Sequence, residues 1–169
     1  MDEIKNFKSL AIALFGLFLF CFGAEKAAFA APLSDGPKLT LASNTFIFNP
    51  RSLTWKAVNH NGAVIKSGRA SGGSGYCPDL KRSCRTPSGT YTVSSKQGAG
   101  CKSSRFPLGR GGAKMPYCMF FSKNYAIHGS YDVPKRNASH GCIRVRTGDA
   151  LWLHKNFIKI GTRVVVKPY

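Results

Sequence analysis

From residue 38 onward the β-branched and aromatic residues come in short runs cut by turn signals, and this spacing constrains the fold more than any other feature. Residues 38–48, 53–58 and 63–69 form the first three runs, separated by Asn49-Pro50 and by His60-Asn61-Gly62. Asn-Gly tolerates the positive φ that tight hairpins need, so the second break reads as a hairpin turn. Further strands are expected at residues 90–94, 117–122, 125–128, 142–145 and 162–167. Two long segments, 70–89 with Gly, Ser, Pro and two cysteines and 96–114 rich in Gly and Lys, read as loops, and loops of that length usually carry function. One helix is expected, from Thr147 as its cap to about residue 156, with Asp149 near its positive end. The fold class is therefore mainly β, a sandwich or barrel of short strands with one short helix attached.

The N-terminus is of a different kind. Lys5 and Lys8 precede an apolar run over residues 9–24, and Ala28-Phe29-Ala30 supplies a small-x-small site. That is the plan of a cleavable secretory signal, and the run is short for a retained span. Phe20 is too bulky to precede a lipidated cysteine at Cys21. Residues 1–30 are thus expected to be removed, leaving 31–169 as one domain with no stable membrane insertion. The expected location is the periplasm or cell envelope, or outside the cell.

Loss of that segment removes three basic residues (Lys5, Lys8, Lys26) and three acidic ones (Asp2, Glu3, Glu25), so the charge stays at +18 with no Glu left. Such a surplus favours anionic partners. For an exported chain these are envelope polymers rather than nucleic acid, although a basic surface that serves only solubility is the plain alternative. With Asp35, Asp79, Asp132 and Asp149 as the only carboxylate side chains, a glycosidase pair has few candidates. The Gly-rich stretches 98–102 and 109–114 lack the Gly-Lys-Ser/Thr ending of a phosphate-binding loop.

Five cysteines follow the signal, in a compartment that permits disulfides. Four of them can close two bridges in three ways, and one thiol is left over. The favoured pairing is Cys77 with Cys84, around Pro78 and Asp79, and Cys101 with Cys118, tying the Gly-rich loop to a strand. Cys142 is the natural leftover, because it alone has a histidine two residues away, in Ser139-His140-Gly141-Cys142, with His128 upstream.

A thiol attacks a carbonyl as the thiolate, which an adjacent imidazole favours by taking the proton. Gly141 lets the backbone approach a substrate, and N–H groups at such a turn can face a tetrahedral oxygen. Taken singly, His128 and His140 would read as structural histidines and Cys142 as a small buried hydrophobe. A zinc site of His128, His140 and Cys142 is chemically possible, but the usual Cys-x-x-Cys spacing is absent. His60 and His154 read as surface or packing residues, and Trp55, Trp152 and the run Met115, Tyr117, Met119, Phe120 and Phe121 as core.

The stretch Ala126-Ile127-His128-Gly129, followed by Ser139-His140-Gly141-Cys142-Ile143-Arg144, resembles the YkuD-type L,D-transpeptidases, which cross-link bacterial peptidoglycan. Thr86-Pro87-Ser88-Gly89-Thr90-Tyr91 is similar to their upstream Thr-Pro-x-Gly-x-aromatic element. The resemblance implies a YkuD-like β fold, a peptidoglycan stem-peptide substrate, and no metal or organic cofactor. It makes Cys142 the acyl-accepting nucleophile and His128 the base, its ring oriented by a carbonyl near Gly129. His140 joins them as a catalytic-site residue that lines the oxyanion site with Gly141 and Cys142, and the backbone of Gly129 takes an orienting role. Ser139 and Arg144 are then substrate-side residues, Ser139 steadying the histidine loop and Arg144 meeting a carboxylate.

Two departures stand out: the interval between His128 and Ser139 is shorter than in many members, and many have Asn where this chain has Arg144. The extra cysteines are similar to those of small exported relatives called enhanced-entry proteins. An L,D-carboxypeptidase, in which water replaces the acceptor amine, and a non-catalytic wall-binding or host-interaction protein are the alternatives.

Overall fold

The computed structural model describes residues 43–169. The expected signal at 1–30 with Cys21, and Asp35, lie outside the described residues. Among the described residues no helix is long and apolar enough to cross a membrane.

Among the described residues nine strands form one sheet: β1 (Thr45–Asn49), β2 (Thr54–Val58), β3 (Val64–Ser71), β4 (Gly89–Thr92), β5 (Ser95–Lys96), β6 (Met119–Ser122), β7 (Tyr125–Ser130), β8 (Ile143–Arg146) and β9 (Arg163–Val166). Their spatial order is β4-β9-β1-β2-β3-β8-β7-β6-β5. Pairing is antiparallel except between β1 and β9 and between β7 and β8, which run parallel. The two ends of this order, β4 and β5, are consecutive in the chain. Between them Val93 N–H donates to Thr162 and Ser94 N–H to Phe120, so one segment touches both β9 and β6 and curls the sheet into a barrel-like closure.

Alternation decides which face is buried. Phe46 and Phe48 of β1 and Trp55 and Ala57 of β2 point into the core with no exposure, joined by Met119, Ile127, Ile143, Val145 and Val164. Their neighbours in sequence, such as Lys56, face out. The expected hairpin is present, with Gly62 at φ 82° and the Asn59 side chain accepting from Asn61 and Ala63.

The expected helix is present over its expected length, in two parts. Helix α1 covers Thr147–Trp152, and a π-helical turn continues over Leu153–Phe157. Arg146, not Thr147, occupies the N-cap position; no side chain caps the helix, and the Thr147 hydroxyl is buried without a partner. Chain reversal straight out of β8 leaves no extended residue after Arg146 that could act as a cap. Asp149 does lie in the first turn, where it pairs with Lys66 at 3.3 Å. The far end is closed by Lys96, whose ammonium donates to the carbonyls of His154 and Ile158.

Helix α1 packs against β7 at Gly129, where a Cβ would come within 3.2 Å of the Ala150 Cβ and 3.1 Å of the Thr147 Cα. Close packing therefore holds the strand that carries His128. Trp152 is only partly buried, with Phe157 stacked on one side and the Lys66 ammonium 4.8 Å from its ring.

Candidate active site

Parallel pairing of β7 with β8 sets His128 opposite Arg144 and Ile127 opposite Ile143, so Cys142 enters β8 beside the strand that bears His128. Both residues line one cleft of about 680 Å³, together with Ser139, His140 and Arg144. Met115 and Phe120 reach this cleft as well, so the run expected to be core is divided between core and cleft wall. Six cationic side chains border it (Arg82, Lys102, Arg105, Lys114, Lys123, Arg144) against a single carboxylate, Asp132.

His128 is buried, and its Nδ1 lies 2.9 Å from the Gly129 carbonyl. A carbonyl can only accept, so Nδ1 carries the proton and Nε2 keeps its lone pair. Burial lowers the His128 pKa to about 4; the Gly129 hydrogen bond opposes that shift and the Arg144 charge adds to it. Gly129 contributes its carbonyl; its N–H is taken by Pro116 at 2.8 Å.

Cys142 is half-buried and is the one free cysteine among the described residues. The other four are joined as Cys77–Cys84 and Cys101–Cys118, the favoured pairing. Burial pushes the Cys142 thiol up, against the pull of a hydrogen bond from Ala126 and of the Arg144 charge. Both shifts favour the uncharged forms, a thiol and an imidazole, over the ion pair that adjacency in sequence suggests. The thiol points to the Asn124 carbonyl at 3.8 Å.

The turn before Cys142 is fixed from inside. Ser139 is buried; its hydroxyl donates to the Cys142 carbonyl and accepts the Gly141 N–H at 3.0 Å. Gly141 has φ 123°, and a Cβ there would meet the Tyr125 ring at 2.2 Å, so glycine is required twice over. Its carbonyl accepts from Thr86 Oγ1 at 2.8 Å, and the same oxygen takes the Gly73 N–H at 3.0 Å. Thr86 is the residue that reasoning from sequence missed: its Thr-Pro-x-Gly element was visible, but not the buried hydroxyl joining three segments.

His140 sits at the rim. Its Nε2 is 2.9 Å from Asp79, and its ring stacks on Phe106 with centroids 4.2 Å apart. Asp79 lies inside the loop closed by Cys77–Cys84, and Phe106 inside the loop closed by Cys101–Cys118, so each disulfide loop sends one side chain to His140. Arg144 is turned to Asp132 at 3.2 Å. The residues weighed for zinc do not converge. Among the described residues the ligand atoms within 4.8 Å of one another belong to Cys77, Asp79 and His140, and the Cys77 sulfur is held in a disulfide.

The L,D-transpeptidase catalytic domain family (YkuD) matches residues 45–166, which include all of this constellation. No curated protein sequence matches the chain. Among solved structures, the L,D-transpeptidase (residues 123–326) of Xylanimonas cellulosilytica is 29% identical, with a TM-score of 0.64 over 73% of this chain and 60% of that one. L,D-transpeptidase 3 of Mycobacterium tuberculosis, in complex with a faropenem-derived adduct, is 21% identical, with a TM-score of 0.60 over 75% and 60%. An L,D-transpeptidase of Mycobacterium smegmatis is 18% identical, with a TM-score of 0.60 over 75% and 59%. The chain thus spans about 60% of the length of these structures. With a family match across 45–166 and the mainly β fold that such a match requires, the chain belongs to the YkuD family of L,D-transpeptidase catalytic domains.

Proposed function

We propose that this protein is a peptidoglycan L,D-transpeptidase that works through a thioester on Cys142. The observation that carries this reading is the buried His128, held by Gly129 in the tautomer that leaves Nε2 basic, in the same cleft as the free thiol. His128 Nε2 takes the proton as Cys142 Sγ attacks the carbonyl of the third residue of a tetrapeptide stem. The peptide bond to the terminal D-alanine breaks, His128 returns the proton to the leaving amine, and an amine of a second stem then displaces the thiol. Because Ser139 already holds the Gly141 N–H, the tetrahedral oxygen is assigned to the Cys142 N–H, and Gly141 shapes the turn instead.

The cationic border suits a stem peptide, which carries carboxylates, and Arg144 is placed to meet one after release from Asp132. Residues 1–30 act as an export signal, 31–169 form the mature domain in the periplasm or envelope, and the surplus positive charge holds it to anionic envelope polymers. Incubation of the mature protein with a tetrapeptide muropeptide, followed by mass spectrometry, tests the reading. Cross-linked dimers are expected, and Cys142→Ala should yield none. Tripeptide alone would make the protein a carboxypeptidase, and bound but unaltered substrate would make it a wall-binding protein.

A further inference from the structure

We infer that Asp79 is the acceptor anchor, the carboxylate that draws the ammonium group of the second stem towards the acylated Cys142. The inference rests on the transpeptidase reading above. Such an enzyme must bring a cationic amine to a site bordered by six cations, and long-range repulsion opposes that approach. A local carboxylate is needed to offset it.

Only three side-chain carboxylates occur among the described residues. Asp149 is paired with Lys66 at 3.3 Å and Asp132 with Arg144 at 3.2 Å. Asp79 alone has no Lys or Arg partner; it meets His140, whose charge depends on its proton. Its side chain is 41% exposed, so it can receive a ligand without unfolding the loop.

A second groove, of about 440 Å³, runs on the Asp79 side of the rim and is lined by Tyr76, Asp79, Asn137, His140 and a single Lys or Arg side chain, Arg136, against the six around the main cleft. His140 also lines the main cleft. The Asp79–His140 contact therefore stands where the two depressions meet, two residues from the nucleophile. A donor stem occupying the main cleft leaves this groove as a way in for a second chain. An ammonium group at Asp79 loses one proton to water and attacks the thioester carbon. The new carbon–nitrogen bond replaces the carbon–sulfur bond, and the second nitrogen proton passes through His128 to the Cys142 sulfur.

Competition between nucleophiles tests this. The full mature protein is given a tetrapeptide donor with a fixed mixture of an amine-bearing acceptor stem and hydroxylamine, which is uncharged near neutral pH. The ratio of cross-linked product to hydroxamate should fall about fivefold in Asp79→Asn, the size expected of one part-exposed charge interaction, and return in Asp79→Glu. A ratio that does not move in Asp79→Asn, or that Asp79→Glu fails to restore, overturns the assignment. If the unaltered protein forms neither product, the transpeptidase reading itself fails, which is a different result.

Discussion

Thr86 Oγ1 donates to the Gly141 carbonyl at 2.8 Å while accepting the Gly73 N–H at 3.0 Å, so one buried hydroxyl ties β3's end and the Thr-Pro element to the turn that presents Cys142. Thr86→Val keeps the shape and leaves a buried donor and a buried acceptor unmet, at a cost of about 2–4 kcal/mol. Urea unfolding should show that loss, and alkylation of Cys142 in the folded variant should show an altered rate.

Gly141→Ala attacks the same turn by two routes, since φ 123° is strained for any side chain and the Tyr125 ring occupies the place of a Cβ. Transpeptidation should fall at least about a hundredfold, as expected when a reacting group is displaced by about 1 Å. Adding Tyr125→Ala removes the clash but not the backbone strain. The double variant should therefore stay impaired, which steady-state product formation would check.

Acid should weaken the fold through His128. Its folded pKa of about 4 lies below the ordinary value of 6.5, so between those values the unfolded chain binds a proton that the folded chain refuses. Stability is then lost as pH falls from about 6.5 towards 4, by about 3 kcal/mol in all, and levels off below. Chemical denaturation across that range should show the slope, and His128→Gln should flatten it. The same shift keeps His128 unprotonated well below neutral pH, so turnover should not fall with a midpoint near 6.5 on its account.

The Cys101–Cys118 bridge closes a loop 17 residues apart in sequence and holds the segment that stacks Phe106 on His140. Replacing both cysteines by Ser should cost about 3 kcal/mol by the loop-entropy account. Thermal melting measures this, and a greater loss of cross-linking than of stability would report the freed Phe106.

Much of this protein was legible in its sequence because the relevant signals are local. Alternation in Phe46 to Phe48 and Trp55 to Ala57 decides which face is buried, Asn61-Gly62 makes the hairpin, and an odd cysteine beside His140 marks the free thiol. The helix's extent was legible but its capping was not, because its start is set by the exit from β8 and its last turn is closed by Lys96, which comes from β5.

Sequence alone determined the strand-rich class, the family resemblance and the residues of the constellation, since these depend on residue type and short spacing. Tertiary structure decided what each residue contacts. It gave Thr86 a partner 55 positions away, spent the Gly141 and Gly129 N–H groups within the scaffold, and brought Asp79 and Phe106 from two disulfide loops to His140. It also buried His128 and half-buried Cys142, and both environments favour the uncharged forms. The physical reason is that hydrogen-bond satisfaction and desolvation are settled only when distant segments meet, and no local pattern encodes which donors will then be left free.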